Sequence, residues 1–207
     1  MIFHSFQITR HGSRSPVLTY PNDPYPYHDN RYWPAGNGQL TKYGHQQMYA
    51  SGINYRRRLN GFLPLQYNPN YTLARTNLFD RDFTSAACFL AGLYPPQGYQ
   101  LWNSFIPWQP IPIWQEPFDI AEVSPALRNI TKMLNSKADG SMKPAERLVY
   151  LEAAHDITIQ ALLAALGVTT KLVIKTSASM AFELHKPPFA EHQIQASTYL
   201  CYKDIHR

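Results

Sequence analysis

Cysteine is scarce. Only Cys88 and Cys201 occur in 207 residues, which excludes a disulfide-dense scaffold. Charge is low too, at 16% Asp, Glu, Lys and Arg. With 44% hydrophobic and 14% aromatic residues, that excludes a disordered chain. No apolar run reaches the roughly 18 residues of a membrane span. Internal repeats and low-complexity tracts are missing. The start, Met1-Ile2-Phe3-His4-Ser5, has neither the charged region nor the long apolar region of a secretory leader, so read literally the chain is intracellular. Acidic residues are outnumbered, 14 against 19 Lys and Arg, for a net charge of +5. The one tight basic run is Arg56-Arg57-Arg58. Without a basic stripe or a nucleic-acid motif, no nucleic-acid partner is expected, and phosphorylated small molecules fit the charge better.

What is present fits a single α/β domain over residues 1–207, long enough to bury a substantial core. Phe3–Thr9 reads as a strand. Residues 15–38 hold five prolines together with Gly36 and Gly38, and read as a long surface loop. Thr41 to Leu59 reads as a helix capped by Thr41 and followed by Gly61, and the three arginines fall in its last turn, where they complement the macrodipole. Tyr71–Arg75 is a short strand and Asp80–Leu93 a helix stopped by Pro95-Pro96. Residues 95–117 look irregular. Glu122–Leu134 reads as a helix, Arg147–Ala153 as a strand, and Ile157–Leu166 as a helix ended by Gly167. Val173–Leu184 and Ser197–Lys203 pair as an antiparallel hairpin across Pro187-Pro188. This order implies a layered fold with a mainly parallel sheet flanked by helices.

Three predicted strands run into charged groups: Arg10-His11, Arg75 and His155-Asp156. Ligands of parallel sheets sit at the carboxyl ends of strands, so Arg10, His11, Arg14, Arg75, His155 and Asp156 converge there. Arginines bind phosphoryl oxygens in pairs and stabilise charge on a transferring phosphoryl group. A neutral imidazole is a competent nucleophile, and an aspartate protonates a departing alcohol. Gly12 permits close backbone approach. With arginines supplying the positive charge, no metal and no cofactor is expected. His4, His28, His45, His185, His192 and His206 show no ligand spacing. His155-Asp156 also fits a plain strand end with Asp156 capping the next helix, a role compatible with catalysis.

Arg10-His11-Gly12-Ser13-Arg14-Ser15-Pro16 resembles the Arg-His-Gly-x-Arg-x-Pro signature of the histidine acid phosphatases, within the phosphoglycerate-mutase-like superfamily. Ala154-His155-Asp156 resembles that family's second signature. Trp33 to Thr41, Leu90 to Pro96 and Trp108 to Pro112 resemble flanking segments of its prostatic and lysosomal members. The resemblance implies His11 as a nucleophile forming a phosphohistidine and Asp156 as proton donor to the leaving group. It implies Arg10, Arg14, Arg75 and His155 as phosphate ligands. After Arg75 the family usually continues Ser/Ala-Thr-Asp, whereas Thr76-Asn77-Leu78 follow here, and Asp80-Arg81 keeps the match in register.

Family members carry a helical cap between the third arginine and the His-Asp signature. Here 80 positions separate Arg75 from His155, so most of the cap is expected to be missing, around residues 113–121. Weak selectivity and lowered activity would follow from poorer water exclusion. The short chain is read either as an incomplete gene model or skipped-exon product of a secreted or lysosomal phosphatase, the preferred reading, or as a genuine short form. Sequons at Asn70-Tyr71-Thr72 and Asn129-Ile130-Thr131 matter only in a secreted setting. Compartment and natural substrate stay open, as does a homodimer. The alternatives to a phosphomonoesterase are an inositol-polyphosphate phosphatase and a catalytically impaired phosphate-binding or interaction protein on the same core.

Overall fold

A computed structural model describes residues 2–116, 123–168, 173–185 and 193–199. Its centre is β1 (Ile2–Arg10), in which His4 to Thr9 are all buried. A strand buried at successive positions is covered on both faces. Phe6 and Ile8 point into one core and Ser5 into the other, where its hydroxyl meets Tyr55 Oη at 2.6 Å.

The remaining elements are α1 (Lys42–Arg58), β2 (Thr72–Thr76), α2 (Asp80–Leu93), β3 (Ile113–Gln115), α3 (Val123–Ala138), β4 (Val149–Ala154), α4 (Asp156–Ala165), β5 (Ser179–His185) and β6 (Gln193–Tyr199). They form a six-stranded sheet in the order β3-β2-β4-β1-β5-β6. The ladders β1–β4, β4–β2 and β2–β3 are parallel, while β5 and β6 run antiparallel to their neighbours. Helices α1 and α2 cover one face, through Met48, Leu59, Phe89, Leu90 and Leu93 against Ala74, Val149 and Leu151. Helices α3 and α4 cover the other, through Ile130, Leu134, Ile159 and Leu162 against Phe6, Ile8 and Phe182. This is a mixed α/β sheet flanked by four helices, as the order of predicted elements implies.

The differences have local causes. The hydroxyl of Thr41 accepts from Gly44 N at 3.1 Å, the predicted cap, and α2 has its predicted bounds. Within residues 95–117, expected to be irregular, a 3₁₀ turn (Gly98–Gln100) and the edge strand β3 occur. β3 is short and follows Pro112, and proline is tolerated at a sheet edge. Helix α3 runs one turn beyond Leu134, to Ala138. β5 starts at Ser179 rather than Val173, because Thr176-Ser177 forms a turn with Ser177 at φ 57°. β6 accordingly begins at Gln193 instead of Ser197. Pro187-Pro188, Cys201 and Lys203 lie outside the described residues. Cys88 carries a free thiol.

His4 is completely buried beside Lys137 and Arg147, with its ring edge-on to Tyr150. Its Nδ1 lies 3.1 Å from Arg147 O. Burial, assisted by the two cations, pulls its pKa down to about 4. The unfolded chain therefore takes up a proton at His4 below about pH 6.5 that the folded chain refuses until about pH 4. Stability is thus whole above that upper value and falls as pH drops through the window. Urea unfolding at a series of pH values will show this loss, and His4→Gln will make it shallower by up to about 3 kcal/mol between pH 7 and 4.

Candidate active site

The β1–β4 ladder pairs Arg10 with Ala154, so the next residues of both strands, His11 and His155, emerge side by side at the carboxyl edge. Their rings stand 5.6 Å apart at 72°. His11 N donates to Ala154 O at 3.1 Å, extending the ladder by one bond, and Ser177 N donates to His11 O at 3.0 Å. The chain then turns under α1. A Cβ on Gly12 would lie 2.5 Å from Gly44 O, and one on Gly44 would lie 2.0 Å from Ser13 O. Two glycines thus let the loop press against the first turn of α1. Gly12 N donates to Ser85 Oγ, Ser13 N to Gln47 Oε1, and Thr41 N to Ser13 O. These bonds anchor the loop to α1, to α2 and to the residue capping α1.

His11 is 3% exposed. Its Nδ1 sits 2.8 Å from Gly12 O, a geometry in which Nδ1–H donates and Nε2 keeps its lone pair. Burial first, then the charges of Arg10 and Arg81 and the neighbouring His155, bring its pKa down to about 4, against the hydrogen bond to Gly12. His155 is buried beneath the edge of Phe79 and is lowered to about 4 by burial and then by Arg81. Both imidazoles are neutral in mildly acid solution.

Five of the six predicted residues come together. Arg10 bonds Asp156 Oδ2 through Nη2 at 2.9 Å and donates through Nη1 to Ile174 O. Asp156 opens α4, and its Oδ1 also accepts from Ile157 N. His155 stands at the N-cap of α4 but makes no capping bond with its side chain. Arg14 donates to Ser15 O, and its charge bears on His155.

Arg75 is the exception. Its guanidinium pairs with Glu116 at 3.1 Å and its charge acts on Glu152. The physical reason is β3, which lies parallel to β2 and brings Glu116, the residue after Gln115, alongside. Beside the histidines stands Arg81, which lies 4.2 Å above the Phe79 ring and whose charge acts on His11, His155 and Asp82. Asp82 was also missed. It is completely buried, with Oδ2 3.4 Å from His155 Nε2, and burial pushes its carboxyl up to about 7 against the pull of Arg81 and Arg14. The signal was available: Asp82, Ser85, Ala86, Phe89 and Leu93 share one face of α2, and its other members are small or apolar.

A buried pair of neutral histidines with Arg10, Arg14 and Arg81 nearby, at the carboxyl edge of the parallel strands, offers imidazole lone pairs beside fixed positive charge. Comparison with known proteins gives the family. The model of the histidine phosphatase superfamily (branch 2) matches residues 6–115. The chain belongs to that superfamily. It is 48% identical to human lysosomal acid phosphatase over 110 residues, which is 53% of this chain and 25% of that protein. With bovine prostatic acid phosphatase the identity is 43% over 110 residues, covering 53% and 28%. The chain spans about a quarter of the length of these curated relatives. Among solved structures, the phytase from Citrobacter braakii superposes with a TM-score of 0.66 at 13% identity, covering 95% of this chain and 85% of the phytase. A mycobacterial glucosyl-3-phosphoglycerate phosphatase gives a TM-score of 0.51 at 10% identity, covering 95% and 98%. These likenesses show the fold.

The part that each of Arg75 and Arg81 plays is testable by titration with inorganic phosphate. Arg81→Ala will weaken binding by about 10- to 100-fold, the usual worth of a charged hydrogen bond, whereas Arg75→Ala will change it less than about threefold.

Proposed function

We propose that the chain hydrolyses phosphate monoesters through a phosphohistidine on His11. The observation that carries this reading is the state of His11: buried, neutral, and fixed by Gly12 O so that the Nε2 lone pair is free. Arg10, Arg14, Arg81 and His155 receive the phosphoryl oxygens. His11 Nε2 attacks phosphorus, the N–P bond forms as the ester P–O bond breaks, and Asp156 gives a proton to the departing alkoxide. Phosphate binding draws Arg10 away from Asp156, which turns the carboxyl toward the leaving group. Asp156, now a carboxylate, takes a proton from water as that water attacks phosphorus. The new P–O bond forms as the N–P bond breaks, and inorganic phosphate leaves with His11 and the Asp156 carboxyl restored.

Among the described residues the connection from β3 to β4 holds one helix, α3. Little therefore encloses the leaving group, and selectivity among esters is low. A secreted or lysosomal setting is supported by the relatives' names and by the exposure of both sequon asparagines, Asn70 and Asn129. Among the described residues no helix is long and apolar enough to cross a membrane.

The test is hydrolysis of p-nitrophenyl phosphate at mildly acid pH by the 207-residue chain. Turnover is the expected result, with a loss of at least about a thousandfold in His11→Ala. A folded chain without turnover, or a His11→Ala variant that keeps it, would overturn the proposal.

A further inference from the structure

Asp82 has no part in the mechanism above, yet it sits against it. A ring nitrogen of His11, a ring nitrogen of His155 and a carboxylate oxygen of Asp82 all lie within 4.8 Å of one another. All three residues are buried, at 3%, 6% and 0% exposure. Neither oxygen of Asp82 has a hydrogen-bond donor among the described residues. The charges of Arg81 and Arg14 act on it from nearby, but a buried carboxyl without a direct hydrogen-bond donor is costly, so a direct partner is called for.

The neighbouring groups say what kind of partner. Asn77 Oδ1 accepts from Leu78 N at 3.0 Å, which turns its Nδ2 toward His155 Nε2 at 3.4 Å. In that orientation His155 Nε2 carries its lone pair, held only by a long 3.4 Å contact from Asn77 that an incoming cation would displace. His11 Nδ1 is committed to Gly12 O, so its lone pair is on Nε2. A nitrogen of each imidazole and a carboxylate oxygen thus converge, and a cation is a group that would complete them. In a tetrahedral site with bonds of about 2.0–2.2 Å, ligand atoms stand roughly 3.3–3.5 Å apart. The 3.4 Å between His155 Nε2 and Asp82 Oδ2 is one such edge. Of the nearby cations, Arg10 is paired with Asp156, Arg81 lies over the Phe79 ring and Arg14 donates to Ser15 O. None of them makes a direct bond to Asp82, although the charges of Arg81 and Arg14 reach it.

We propose that His11, His155 and Asp82 form a binding site for a borderline divalent cation such as Zn²⁺, with one coordination position left open. Two histidines and one carboxylate are a zinc-type donor set. The cation takes the Nε2 lone pair that attacks phosphorus, so it inhibits. Only that consequence rests on the phosphatase reading.

The experiment is titration of the 207-residue chain with Zn²⁺ by calorimetry, and with Co²⁺ by visible absorption, in phosphate-free buffer. One ion per chain is expected, with the d–d bands of a low-coordinate nitrogen and oxygen site. Asp82→Asn will weaken binding about a hundredfold, the upper end of what losing even an outer-shell partner costs. Retained binding of inorganic phosphate will show that the variant is folded. Asp82→Thr, of similar size, serves if the amide does not fold. Failure of the folded parent chain to bind Zn²⁺, or equal binding by both forms, would overturn the proposal. Zn²⁺ binding without ester turnover would leave the cation site standing and remove the phosphatase reading. Turnover that Zn²⁺ leaves untouched in the ion-loaded chain would contradict the site.

Discussion

Arg10 stands opposite Ala154 in the β1–β4 ladder, and the site is a consequence of that register. Each strand ends where a histidine begins, so two imidazoles distant in sequence become neighbours without any loop having to find the other. A slip by one residue would turn Phe6 and Ile8 away from the α3–α4 core, and burial of that face therefore fixes the geometry of the candidate site as well. Core packing and site construction are the same constraint seen from two ends of the sheet.

Burial then sets the chemistry. A solvent-exposed imidazole would be largely protonated in acid and useless as a nucleophile. Seated under α1 and α2 and surrounded by cations, His11 keeps its lone pair in that range. The same desolvation acts on Asp82 in the opposite sense and leaves a carboxyl that holds its proton further up the scale. The pocket thus combines arginines that favour anions with a donor triad that favours a cation. Which of them governs depends on what is bound.

Much of this was legible in the sequence because the signals were dense. Arg10 to Pro16 and His155-Asp156 are charged ends of apolar strands, and α2 has both an acidic first turn and a proline stop. What was not legible depended on contacts between distant segments. Arg75 was placed with the phosphate ligands because it ends β2, but β3, hidden in a proline-rich stretch, brings Glu116 to it instead. In the sequence Arg81 serves only to keep the family match in register, and Asp82 carries no signature of its own. Their importance arises from the packing that sets the first turn of α2 beside His155; the small and apolar face that Asp82 shares signals its burial but not its neighbour. The turn at Thr176-Ser177 likewise interrupts a stretch whose apolar, β-branched composition reads as continuous strand.

The central claim is that His11 is the nucleophile. Rapid quenching of the chain with p-nitrophenyl phosphate, followed by peptide mass spectrometry under alkaline conditions that preserve phosphohistidine, tests it most directly. A phosphoryl group on the peptide containing His11, absent in His11→Ala, is the predicted result. Turnover accompanied by phosphoryl on another residue, or by no covalent intermediate at all, would contradict the account.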